Sequence, residues 1–438
     1  RLKNFIYNHS MKIILSIITI SLIVTSNSYA NYLNEYKIWL MDNNQNKYLP
    51  LSKKLTNNKD KLGERFKWDS NPTLEELHYQ VFHYLEDDKG FSKQETIGSE
   101  NPYKFNFNLE EDKYVDKKLN NSGLLSYLMF REGNIVIDKI SPKERLGSLF
   151  NNKTKWTSAS AGKSLTGYLV GQAICDGYID SIDVRLNDWP LLKNTLYENV
   201  KLIDLLNMAA GDQKFIKNHF KKELKKKGRE RNVNNNTIKK HMKGTFKETQ
   251  PSYNKYNYSN LVSNIIINYV WFKSNGNFYK ITDRVFKEKA QIEDSVYFLK
   301  MNENTVNNGY EVTDESGALR YSFRANRYDY LRIAKAIMED WQNDTCVGKY
   351  LKNINEKKIS KNLEYKNDLG AYSYSKSYGG QFHLNFPGFK KRNIFAFDGA
   401  YGQSILIDMD KSIIIVINAV HGNYNWKKIA LNKLKKAK

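Results

Sequence analysis

The sequence predicts an α+β sandwich: an antiparallel sheet formed from both chain ends, flanked by helices, with an all-helical region inserted between them. Three observations predict it. From Gly123, the apolar run LLSYLMF, the turn Arg131-Glu132-Gly133-Asn134 and the run IVIDKI read as a β-hairpin that opens the main domain, 123–438. Helical patterns then occupy the middle, at 164–176 stopped by Gly177, 201–210 stopped by Gly211, 260–272 and 327–341. Strands return at 378–386, 393–397, 403–408 and 412–420 as closely spaced apolar or alternating runs separated by turns, the pattern of an antiparallel meander.

Upstream of that domain, residues 31–122 are polar and irregular, with one helical stretch at 74–85 behind Asn71-Pro72-Thr73, and read as a wrapping extension. Residues 11–30, MKIILSIITISLIVTSNSYA, combine an n-region lysine, an apolar run from Ile13 to Val24, and the small residues Ser28 and Ala30 at a cleavage position. That is the pattern of a secretory signal, so the protein is expected to be exported, periplasmic or secreted, with its mature chain beginning at Asn31. The apolar run is short for a membrane span. Residues 1–10 precede the first methionine, Met11, and read as an upstream extension without function. A basic, Asn-rich stretch at 214–247 reads as a solvated insertion, with an anionic envelope surface as its candidate contact.

The 438 residues are 40% hydrophobic and 13% aromatic with only seven prolines, a composition that folds. A net charge of +22 invites a nucleic-acid reading. Lysine is instead spread along the chain beside asparagine, and neither a zinc-finger spacing nor an aromatic ribonucleoprotein motif occurs, so no nucleic-acid partner is expected. Export makes a disulfide between the two cysteines, Cys175 and Cys346, chemically permissible. Neither has a CxxC partner and the seven histidines contain no HExxH, so no metal or cofactor site is expected.

The segment TKWTSASAGKSLTGYLVGQAICDGYIDSIDVRLNDWP places Ser160 and Lys163 three residues apart at the start of an apolar helix, hence on one face. A serine hydroxyl needs a base, and a lysine amine is one only when desolvation or nearby positive charge keeps it neutral. The same spacing also fits a helix N-cap followed by a surface lysine. Gly162-Lys163-Ser164 resembles the end of a phosphate-binding loop, but that pattern needs glycine at 157, where Thr157 stands. Ser158-Ala159-Ser160-Ala161-Gly162 approaches a nucleophile elbow, with Asp398 or Asp408 and His421 as its partners; an elbow needs a buried apolar strand before the serine, and 151–157 is polar apart from Trp156.

The stretch 156–190 resembles the active-site helix and following loop of serine β-lactamase-like hydrolases, and its ordered companions are present over 123–438. LIDLLNMAAG at 202–211 resembles the family's Leu-rich helix, with Ala210 where the family has serine. Tyr258-Ser259-Asn260 matches its Tyr-x-Asn motif, and Phe397-Asp398-Gly399-Ala400-Tyr401-Gly402-Gln403 falls where its Lys-Thr-Gly-type strand lies. The Gly-x-Tyr-Gly-Gln ending is most similar to the class C-like esterase and 6-aminohexanoate-dimer (nylon-oligomer) hydrolase branch. The resemblance implies a β-lactamase/transpeptidase-like fold and an acyl-enzyme hydrolase without cofactor. It makes Ser160 the acylated residue, Lys163 the proton acceptor and Tyr258 the relay to the leaving group. Asn260 would orient substrate or Lys163, the N–H groups of Ser160 and Ala400 would form an oxyanion hole, and Phe397, Asp398 and Gly399 would line the substrate site. Phe397 stands where a cation would bind a substrate carboxylate, so uncharged or cationic esters and amides are the expected substrates. A β-lactamase or D-alanyl-D-alanine peptidase, and an inactive envelope-binding module, are the alternatives. No residue is assigned to activating the deacylation water.

Overall fold

The computed structural model describes residues 31–42, 72–74, 77–78, 81, 91–147, 149–212, 255–301, 319–361, 374–389, 391–421 and 425–436. The predicted signal, the upstream decapeptide and the basic insertion lie outside them, as does most of the helix expected at 74–85. In chain order the elements are α1 (Asn31–Asp42), β1 (Phe91–Thr96), β2 (Asn106–Phe107), α2 (Lys113–Asn121), β3 (Leu124–Arg131), β4 (Asn134–Ile140), β5 (Trp156–Thr157), α3 (Gly162–Cys175), α4 (Leu202–Leu206), α5 (Asn260–Lys273) and α6 (Phe278–Thr282). There follow β6 (Val296–Met301), β7 (Leu319–Ala325), α7 (Arg327–Gln342), α8 (Cys346–Glu356), β8 (Ile359–Ser360), β9 (Ser377–Gly379), β10 (Phe382–Leu384), β11 (Ile394–Gly399), β12 (Gln403–Asp408), β13 (Ile413–Ala419) and α9 (Asn432–Lys436).

Both chain ends do build one sheet. Its nine strands run β2-β4-β3-β13-β12-β11-β10-β9-β8 and are antiparallel except for the β2–β4 pair. The central strands are apolar on both faces because both are covered. Along β13, Ile414 and Val416 enter the main core beneath α3, α5 and α7, while Ile413, Ile415 and Ile417 enter a second core under α2 and the C-terminal helix. A sheet covered on both sides reads as continuous apolar runs rather than alternation.

The inserted region is not all helical. Within it, β6 and β7 pair with each other and with β1 and β5 to give a second, four-stranded sheet in the order β1-β6-β7-β5. The polar segment upstream of Gly123, expected to be irregular, supplies β1 to this sheet, β2 to the large one, and α2, whose N-cap Asp112 accepts the N–H groups of Tyr114 and Val115 at 3.1 Å. The helix expected over 201–210 is only Leu202–Leu206, because Met208 adopts φ 55°, which ends a right-handed helix. The strand expected over 378–386 is a hairpin, β9 and β10, turned by Gly380 and Gln381 at φ 60° and 71°.

Cys175 closes α3 and Cys346 opens α8, and the two are joined as a disulfide across 171 residues. A loop of that length makes the cross-link a large restriction on the unfolded chain. Replacing both cysteines with serine is expected to remove about 2–5 kcal/mol of stability. A melting curve unchanged by the double substitution and by reductant would show that the bond does not form.

Candidate active site

The turn that carries Ser160 is held by β7. Ser158 N–H donates to Phe323 O at 2.7 Å, and Phe323 N–H donates back to Ser158 Oγ at 2.8 Å. A short 3-10 turn, Ala159–Ala161, then feeds α3 at Gly162. Only glycine fits there, since a Cβ would stand 2.1 Å from Tyr321 O and 2.6 Å from Ser158 Oγ. Ser160 is left half-buried at the helix start.

Lys163, one position further, is buried because α3 is buried on all sides: every residue from Gly162 to Ala173 is inside, and Lys163 is the helix's one charged residue. Its Nζ lies 3.1 Å from Ser160 Oγ. Burial holds the Lys163 amine well below its ordinary pKa of 10.5, and the positive charge of Arg320 pushes it the same way. Nζ also lies 3.5 Å from the ring centroid of Tyr321 and 5.0 Å from that of Tyr258.

Tyr258 and Asn260 flank the N-cap of α5. Ser259 is extended and its side chain accepts Val262 N–H, so Tyr258 stands just outside the helix and Asn260 is its first residue. The Ser160 side chain lies near enough to the Tyr258 hydroxyl to act on it, in the direction that lowers its pKa. Burial, with contributions from the neighbouring Tyr378 and Tyr321 hydroxyls, raises the Tyr258 pKa well above 10.0. Two groups on one serine are thus pushed in opposite directions: the amine toward its basic neutral form, the phenol toward its proton-donating form. Asn260 is half-buried, and its Oδ1 is enclosed without a hydrogen-bond partner among the described residues. It makes no bond to Lys163, one of the two roles expected for it.

The third motif closes the site. A Cβ on Gly399, at the end of β11, would lie 2.3 Å from Ser158 O and 3.0 Å from Ala161 N, so the strand end rests directly on the Ser160 turn and leaves exposed Ala400 beside it. Tyr401 and Gly402, at φ 64° and 84°, turn the chain into β12. Buried Gln403 locks that turn to β13, donating to Ala419 O and accepting from Asn418 Nδ2.

Phe397 departs from its expected role. It is 0% exposed and packs edge-on against Phe382 at 5.3 Å between ring centroids, because strand alternation sends Phe395 and Phe397 together into the core. It therefore offers no surface to a substrate. Asp398, the next residue, is half-buried, lies 3.5 Å from Ser404 Oγ, and is close enough for its charge to contribute to the raised Tyr258 pKa. The alternative acid Asp408 pairs with Ile394 at the far end of β11, five register positions from Gly399, or about 17 Å along the strand. It cannot join Ser160.

Three residues absent from the sequence reading complete the surroundings. Tyr378 stands edge-on to Tyr258 at 6.4 Å. Gln381 ties the helices together: its Nε2 donates to Leu205 O and Leu206 O of α4, its Oε1 accepts Ser263 Oγ of α5, and its carbonyl accepts Ser164 Oγ of α3. Tyr321 lies against Lys163. Of their signals, only the Gly379-Gly380 pair before Gln381 is marked locally as a turn. Among the described residues no group of three or more His, Cys, Asp or Glu is placed to hold a metal ion.

Neither a protein-family model nor a curated protein matches the sequence. Solved structures do. A candidate 6-aminohexanoate-dimer hydrolase from Bacillus anthracis matches with a TM-score of 0.56 and 13% identity, covering 84% of this chain and 96% of that one. A candidate β-lactamase from Bacteroides dorei matches with a TM-score of 0.51 and 13% identity, covering 74% of this chain and 95% of that one. At such identities the likeness is one of architecture, and with the two-faced antiparallel sheet, the buried central helix and the order of the elements it gives one result: the chain has the serine β-lactamase-like fold.

Proposed function

We propose that the chain is an exported serine hydrolase that cleaves ester or amide bonds of small molecules through an acyl-enzyme on Ser160. One observation carries the reading: a buried lysine amine, deprived of the water that would stabilise its charge, stands 3.1 Å from a serine hydroxyl. Neutral Lys163 takes the Ser160 proton as Oγ bonds to the substrate carbonyl carbon. The carbonyl oxygen becomes an oxyanion, received by the N–H groups of Ser160 and Ala400, an arrangement worth about 3 kcal/mol per donor. Tyr258, kept a phenol, gives its proton to the departing alcohol or amine and regains one from the Lys163 ammonium. Water then attacks the carbonyl carbon of the Ser160 ester, giving a proton to Lys163; the C–Oγ bond breaks, the Lys163 ammonium returns that proton to Ser160 Oγ, and the acid leaves.

The walls favour substrates without a carboxylate. Phe397, at the position where the resemblance places a cation, is turned into the core and leaves no cation there, and half-buried Asp398 beside it adds a negative charge. Uncharged or cationic esters and amides are the substrate class this supports. Export rests on the 11–30 pattern.

The test is a fluorophosphonate label read by intact mass, with hydrolysis of p-nitrophenyl acetate and butyrate by the parent and Ser160→Ala. A single adduct on Ser160, absent from the variant, and a loss of ester hydrolysis by roughly 1,000-fold or more are expected. Equal rates in parent and variant would place the activity elsewhere. Turnover of a chromogenic cephalosporin as fast as the short esters would overturn the substrate class.

A further inference from the structure

The reading above requires a lysine that stays neutral and aimed at Ser160, and the residue that secures both lies on a strand the mechanism does not otherwise use. We propose that Tyr321 is the positioning residue of Lys163: its ring seals the amine from water and sets Nζ against the Ser160 hydroxyl. The inference deepens the serine-hydrolase reading and rests on it.

Three contacts fix the backbone that carries the ring. Tyr321 N–H donates to Asn264 Oδ1 at 3.1 Å, and one helical turn further along α5 Asn268 Oδ1 accepts Leu319 N–H at 3.0 Å, so two buried asparagines clamp β7 to the helix that follows Tyr258. On the other side, Tyr321 O presses on Gly162 at the start of the helix that carries Lys163. The side chain is 5% exposed and its ring centroid lies 3.5 Å from Nζ. Water would otherwise occupy that face of the amine. An aromatic face returns to an ammonium only part of what water gives it, so the ring tilts the balance toward the neutral amine.

The other groups around Lys163 are accounted for. Ser160 and the Tyr258 ring face Nζ directly. Arg320, beside Tyr321 on β7, adds positive charge but directs its guanidinium over Phe91 of β1. His383 on β10 lies near Lys163 and is itself held neutral, by burial first and then by the charge of Lys361. Asp398 on β11 acts on Tyr258. None of these covers the face that Tyr321 covers.

The experiment titrates Lys163 directly, without relying on catalysis. In the full chain carrying Ser160→Ala and [13Cε]lysine, the Lys163 signal is identified as the one missing from Lys163→Arg. Its titration is followed with tyrosine, phenylalanine or alanine at 321. The expected result is a midpoint well below that of the other lysines with tyrosine, the same midpoint in Tyr321→Phe, and a rise of about one pH unit or more in Tyr321→Ala, where water reaches the amine. With Ser160 restored, the acid limb of kcat/KM for p-nitrophenyl butyrate is expected to follow the same order. An unmoved Lys163 midpoint in a folded Tyr321→Ala protein overturns the proposal. A midpoint that moves in a protein whose Ser160 never labels upholds the role of Tyr321 and overturns the hydrolase reading instead.

Discussion

Replacing Lys163 with methionine is expected to give a folded protein, at least as heat-stable as the parent, that has lost its hydrolase activity by about 100- to 10,000-fold. The two effects share one cause. The amine is buried among apolar groups, and its pKa lies well below 10.5 because burial and Arg320 disfavour the ammonium. Between that lowered pKa and 10.5 the unfolded chain holds a proton on Lys163 that the folded chain has released, so parent stability rises with pH across the window and the burial penalty is fully present below it. Methionine has similar length and no charge to desolvate. The gain in melting temperature is therefore expected to be largest at neutral and acid pH and to shrink toward pH 10.5. Activity in the parent is expected to run in the same direction, rising as pH passes the lowered pKa and the amine becomes able to act as a base. Lys163→Arg is expected to be inactive throughout, since a guanidinium does not give up its proton. Melts from pH 6 to 10 beside ester hydrolysis check this; a methionine variant less stable than the parent at pH 7 would mean that Lys163 stabilises the fold rather than burdening it.

How much of this was legible in the sequence depends on how locally each feature is encoded. Ser160, Lys163, Tyr258 and Asn260 stand at the starts of two long apolar helices, and a helix start is written within a few residues: Ser259 as N-cap, an apolar run behind it. The turn after β11 is equally local, since Gly402 takes a positive φ that its own residue type permits. Tyr321 is the opposite case. Nothing within LRYSFRA marks it; its importance comes from Gly162, Asn264 and Lys163, which only the folded chain brings to it. The four-stranded sheet escaped for the same reason, its order joining β1 to β6 and β7 to β5 across long stretches of sequence. Phe397 is not placed by its local sequence: β11 is covered on both faces, so IFAF is a continuous apolar run in which nothing local says which core Phe395 and Phe397 enter, and matching a position to a family motif says nothing of which way the side chain points.

Gly399→Ala is expected to cost about 100-fold in kcat/KM while leaving Ser160 and Lys163 in place. The methyl group would be set 2.3 Å from Ser158 O and 3.0 Å from Ala161 N, both backbone atoms of the Ser160 turn, so no side-chain rotation relieves the contact. The end of β11 must then retreat from the start of α3, and Ala400 N–H retreats with it. An oxyanion donor works only at hydrogen-bond distance from the developing charge, and a displacement of about 1 Å forfeits most of its effect. The base pair Lys163–Ser160 lies on the other side of the contact, within α3 and its entry turn, and should still form. The variant is therefore expected to label with fluorophosphonate slowly rather than not at all, with the loss concentrated in kcat. Gly133→Ala supplies the control: its φ of 83° makes alanine strained there too, but nothing lies within 4 Å of the new methyl and the hairpin tip carries no catalytic group. Comparable destabilisation with unchanged kcat/KM is expected of it. A Gly399→Ala protein with the parent's kcat/KM would remove Ala400 from the oxyanion hole and leave Ser160 N–H to receive the charge with some other donor.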